Sequence, residues 1–74
     1  MKFFAIEYPN HSTLLVKSEY KLERVLIEIS NATGIKSYAG AIYNPQAFLS
    51  LTELTAPDKR QQTYALELSK VLIG

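Results

Sequence analysis

Apolar and polar residues alternate from the second position onward. Phe4, Ile6 and Tyr8 fall on one side and Phe3, Ala5 and Glu7 on the other, the two-residue period of a β-strand over residues 2–8. Pro9-Asn10-His11-Ser12 is turn chemistry, because proline fixes φ and asparagine tolerates the left-handed region. Thr13 to Lys17 then reads as a second strand, which makes a hairpin.

The period changes after Ser18. Leu22, Val25, Leu26, Ile29 and Ala32 recur at helical spacing, which predicts a helix over 19–32 with Ser18 as its cap and Glu19 in its first turn. Gly34 is expected to stop it in the left-handed conformation, with Ile35 closing a Schellman ending. Residues 35–43 read as a third strand, and Gly40 within it as a bulge or a close backbone approach.

Residues 45–54 carry two signals. Leu49 and Leu51 against Phe48 and Leu54 suit a strand, whereas Asn44-Pro45 suits the start of a short helix. Thr55-Ala56-Pro57-Asp58 resembles a capping box ahead of Tyr64, Ala65, Leu68, Val71 and Leu72, which share one helical face. A faint internal repeat runs alongside: Ala5-Ile6-Glu7-Tyr8-Pro9-Asn10 is echoed by Ala41-Ile42-Tyr43-Asn44-Pro45-Gln46. The expectation is an α+β domain spanning 1–74 with no linker. Its plan is ββαββα, two hairpin-helix units on one antiparallel sheet with the helices on one face. The alternative plan is ββαβαα, with 45–52 helical.

Composition narrows the function classes. With 74 residues, 47% hydrophobic and 20% charged, the chain is a folded domain rather than a disordered tail. It has no cysteine, so disulfides, thiolate metal sites and cysteine nucleophiles are excluded. Glu7 interrupts the apolar run after Lys2 before a signal peptide can form, and no apolar stretch reaches membrane length. The reading is a cytoplasmic protein.

Candidate chemistry is sparse. One histidine, His11, lies in a turn, and one aspartate, Asp58, has a capping role, so no Ser-His-Asp set can be assembled. Gly34 and Gly40 are isolated, and neither opens a phosphate loop. No catalytic residue, metal ligand or cofactor site is expected, and the chain reads as non-enzymatic. The more telling feature is apolar residues on the outer sides of the predicted helices. Tyr20 and Ile27 lie seven apart on the first, and Leu66 and Ile73 seven apart on the last. They suggest a protein-binding module, an adaptor, inhibitor or regulatory subunit, that forms a homodimer or docks another protein. The alternative is a small nucleic-acid binder. It would use Lys2, Phe4, Tyr8, Lys36 and Tyr38 on an open sheet face, although the net charge is only +1.

Overall fold

The computed structural model describes all 74 residues. The opening hairpin forms as its alternation requires. Strand β1 (Lys2–Glu7) pairs antiparallel with β2 (Thr13–Ser18), with Phe4 opposite Val16 and Ile6 opposite Leu14. These four side chains and Tyr8 face inward and are buried. The connection is a tight turn in which the His11 N–H donates to the Tyr8 carbonyl and the Tyr8 N–H donates to the Ser12 carbonyl. His11 closes it at φ 65°, the left-handed position that such three-residue loops usually give to glycine.

Helix α1 (Leu22–Asn31) begins later than its sequence signals suggest. Ser18 Oγ accepts the Tyr20 N–H in a local turn, so Ser18 does not cap the helix and Tyr20 lies outside it. Val25 and Ile29 are buried and Leu22 is half-buried, but Leu26 is exposed, so the inward stripe is narrower than expected. The helix also ends differently. Ala32 leaves in an extended conformation, and the Gln46 side chain donates from Nε2 to the Ser30 and Ala32 carbonyls. A distant side chain thus satisfies carbonyls left open at the end of the helix.

Gly34 instead opens a strand, β3 (Gly34–Lys36). It has no positive φ; the positive-φ glycine is Gly40 at 87°, in the turn that leads to β4 (Ile42–Tyr43). Residues 35–43 are therefore a short hairpin, and Gly40 marks its turn, not a bulge. Asn44 next makes a local turn, its Oδ1 accepting the Gln46 N–H. The chain then enters β5 (Ser50–Leu54), which pairs antiparallel with β1, so no helix forms over 45–52.

The last twenty residues depart furthest from expectation. Asp58, not Thr55, caps α2 (Lys59–Tyr64). Its carboxylate accepts the Gln61 N–H at 2.8 Å, and Gln61 Oε1 accepts the Asp58 N–H at 2.9 Å, a complete capping box. The helix stops at Ala65. The chain runs as β6 (Leu66–Glu67), parallel to β2, makes one further helical turn, α3 (Leu68–Val71), and finishes as β7 (Leu72–Ile73) against β3.

The result is a small, compact α+β globule with three short helices and two sheets. One sheet is mixed and four-stranded, in the order β5-β1-β2-β6; the other is antiparallel and three-stranded, β4-β3-β7. The element order ββαβββαβαβ replaces both the ββαββα and the ββαβαα plan, and the strands form two sheets instead of one. Its radius of gyration, 11.0 Å, matches the ~11 Å expected of a compact chain this long. Phe4, Ile6, Val16, Val25, Ile29 and Ile35 form the fully buried centre, with Leu68 closing it from the C-terminal segment.

Candidate functional site

Three ion pairs form on the surface. Arg24 holds Glu28 at 2.9 Å, Lys70 holds Glu67 at 3.2 Å, and the Met1 ammonium lies 3.5 Å from Glu19. Those three glutamates border one cleft of about 310 Å³ floored by Leu68 and Leu72, and each already has a cation. The Asp58 carboxylate is engaged in its cap, and His11 lies exposed in the first turn. No group of three histidine, aspartate or glutamate residues is placed to hold a metal ion.

The four outward apolar residues expected to form one stripe are dispersed. Ile27 is exposed on α1, and Tyr20 is exposed ahead of that helix with the Arg24 guanidinium 5.0 Å from its ring centre. Leu66 and Ile73 do not share a helix. Leu66 lies in β6 level with Val16 and packs on the core, half-buried. Ile73 lies in β7, in the other sheet. Helical spacing linked them in the sequence; the break at Ala65 separates them.

Ile73 has a different neighbour. In the three-stranded sheet Ile35 lies opposite both Tyr43 and Leu72, and these three face the core. By alternation Gly34, Lys36, Ile42 and Ile73 share the outer face. There Ile42 and Ile73 close over Gly34: a methyl group at position 34 would sit 2.9 Å from Ile42 Cγ2 and 3.5 Å from Ile73 Cδ1. The two isoleucines, 58% and 43% exposed, make one apolar ridge across the sheet. Sequence reasoning missed Ile42 because it placed residues 35–43 in one strand. The signal was Gly40 as a turn, which folds Ile42 back beside Gly34.

The residues considered for base stacking are also separated. Phe4 is fully buried and Tyr8 nearly so, and neither ring offers a face to a base. Lys2 begins β1, and Lys36 lies opposite Ile42. Tyr38 alone is open, 72% exposed, packed edge-to-face on Tyr64 at 5.9 Å, with Arg60 5.8 Å from the Tyr64 ring.

A second cleft, of about 370 Å³, lies where the two halves of the internal repeat meet. Tyr8, Pro9 and Asn10 come from the first turn, and Ile42, Tyr43 and Asn44 from the second. The Tyr8 and Tyr43 rings meet edge-to-face at 4.7 Å. The Tyr8 hydroxyl is buried and has no hydrogen-bond partner in the protein. Burial pushes its ionisation above the ordinary phenol value, and the neighbouring Tyr43 adds to that shift.

Comparison with protein-family models, with curated proteins and with solved structures finds no match for this chain. No helix is long and apolar enough to cross a membrane.

Proposed function

We propose that this chain is a non-catalytic protein-binding module that associates with a second copy of itself through the isoleucine ridge of the three-stranded sheet. The observation that carries this reading is the pairing of Ile42 and Ile73 over Gly34, a contiguous apolar surface on an otherwise polar exterior face. Full burial of an isoleucine is worth roughly 1.5–3 kcal/mol, and these two are about half exposed, so across a two-fold axis the ridge supplies part of what a weak, reversible dimer needs against its association cost. The ridge takes over the role that Tyr20, Ile27, Leu66 and Ile73 were expected to share, and retains Ile73.

Sedimentation equilibrium tests it. The parent protein should show a concentration-dependent mass, and Ile42→Glu and Ile73→Glu should each remain folded by circular dichroism and sediment as monomers. Ile27→Glu should leave the dimer intact, because Ile27 belongs to α1 and not to the ridge. A parent protein that stays monomeric through the millimolar range overturns the proposal.

The nucleic-acid reading retains one observation, the Tyr38–Tyr64 pair beside Arg60. It is distinguished by oligonucleotide binding at two salt concentrations, with Tyr38→Ala as the variant. Phosphate contacts would make the affinity fall steeply with salt.

A further inference from the structure

The edges of the two sheets are unequal. β4, β6 and β7 have two residues each, too few to guide another strand. β5 runs for five residues, Ser50–Leu54, with no strand on its outer side. Proteins commonly blunt such an edge with lysine, proline or a covering element. β5 contains no lysine, arginine or proline, and Thr52 and Glu53 are exposed.

The hydrogen-bond phase of the sheet fixes which groups this edge presents. The Tyr8 N–H donates to the Ser12 carbonyl, so by antiparallel alternation Ile6 bonds Leu14 and Phe4 bonds Val16. Phe3, Ala5 and Glu7 therefore turn their main-chain groups toward β5, where Leu54, Thr52 and Ser50 lie opposite. The Leu49 N–H, which donates to the Glu7 carbonyl at 2.7 Å, agrees with that phase. Leu51 and Glu53 are left with N–H and C=O pointing away from the sheet, and no turn, loop or cap bond reaches them.

We infer that β5 is an edge on which a second copy of this chain pairs, antiparallel and across a two-fold axis at Thr52, joining two four-stranded sheets into one. With Thr52 opposite Thr52 of the second copy, Leu51 exchanges both bonds with Glu53 and Glu53 with Leu51, so all the outward groups are used. Other registers are poorer. Centring on Glu53 sets like charges opposite each other. Centring on Leu51 turns Glu53 toward Leu49, whose N–H is already given to Glu7. The edge shares no residue with the isoleucine ridge, which lies on the other sheet. A main-chain hydrogen bond made in place of one to water gains little, so the contact needs about millimolar chain.

The test is amide exchange with water, read residue by residue by nuclear magnetic resonance on the intact chain between about 0.1 and about 3 mM. With a dissociation constant of about 1 mM, about a third of the chains stay single at the upper end, so exchange at the Leu51 and Glu53 N–H should slow about threefold. The Thr52 N–H, already bonded to Ala5, should not change. Ridge association leaves the edge amides open to water, so Ile42→Glu should show the same slowing. Thr52→Lys sets like charges opposite each other and should weaken the pairing about fivefold. Its site is exposed, so circular dichroism should match the parent. A synthetic peptide of residues 49–55 should protect the same amides in dilute chain, and a scrambled peptide should not. The inference is overturned if exchange at Leu51 and Glu53 is independent of concentration, or if Thr52→Lys slows as much as the parent. It is also overturned if the slowing vanishes in Ile42→Glu, which would assign it to the ridge. Equal protection by the scrambled peptide overturns the second copy as the occupant and makes the edge a general strand acceptor. A ridge that fails its own test while these amides still slow leaves the edge standing, and the reverse leaves the ridge standing.

Discussion

The opening hairpin with its helix and the last twenty residues use similar apolar fractions in opposite ways. In the first region local pattern and tertiary contact agree. β1 and β2 pair along their full length, and Phe4, Ile6, Val16, Val25 and Ile29 reach zero exposure. In the last region they conflict. Tyr64 to Leu72 carry a helical stripe, yet the chain leaves the helix at Ala65 and Leu66-Glu67 align along the edge of β2. Extending α2 would have left the outer edge of β2 without a partner strand at Val16 and Lys17. Breaking it lets Leu68 and Val71 close the core and sends Leu72 to pair with Ile35. Helical periodicity is a local preference worth tenths of a kcal/mol per residue, and it yields where strand pairing and burial together offer more.

That contrast sets the largest expected effect. Phe4→Ala should cost about 3–5 kcal/mol, enough to unfold a domain of this size, because the side chain is fully enclosed. Tyr64→Ala, in the helix that buries nothing, should cost under about 1 kcal/mol. Urea denaturation of the two variants measures the difference. Equal losses would show that α2 is docked on the core, which would break the comparison.

The start of α2 is a sharper case. Asp58→Ala should cost about 1 kcal/mol, because it removes the carboxylate that caps the Gln61 N–H. Thr55→Ala should be silent, since Thr55 lies a full turn before the helix. Chemical denaturation separates them, and a loss at Thr55 would restore the earlier start that the spacing suggested.

Tyr8→Phe tests the hairpin region from the other side and should stabilise the free protein by about 1 kcal/mol. The pH dependence follows from the raised ionisation of Tyr8. The unfolded phenol loses its proton near the ordinary 10.0, while the folded one retains it to higher pH, so the folded state binds more protons above that point. Stability is therefore unaffected by this group below pH 10 and falls as pH rises through the folded value. Equilibrium unfolding from pH 8 to 11 should show a fall above pH 10 that is smaller in the Phe variant.

What was legible in the sequence follows the same division. The first hairpin and the existence of α1 were readable because period, turn chemistry and burial coincide in them, whereas residues 45–54 carried a strand and a helix signal together, and the pairing of β5 with β1 decides between them. Asp58-x-x-Gln61 was readable too, as a better capping box than Thr55-x-x-Asp58, but Pro57 drew the reading one turn early. The break at Ala65 has no local marker: no glycine or proline stands there, and only the open edge of β2 supplies the cause. The same blindness produced the false pairing of Leu66 with Ile73 and hid that of Ile42 with Ile73. Both pairings depend on which distant strand lies alongside, and no short-range spacing records that.

The smallest effect is expected at the one place where the well-read hairpin departs from local preference. His11 sits at φ 65°, and a non-glycine residue in the left-handed region costs about 1–2 kcal/mol. Its side chain is exposed and makes no hydrogen bond that would offset this. Glycine removes the steric term but loses about 0.5–1 kcal/mol more backbone entropy on folding. His11→Gly should therefore stabilise the hairpin by a net of about 0.5 kcal/mol. His11→Val should destabilise it, because a β-branched side chain tolerates that region worst. The order Gly, His, Val in midpoint of denaturation is the measurement. If Gly falls below His, the histidine ring contributes to the turn, and the hairpin too is held by something its local pattern does not record.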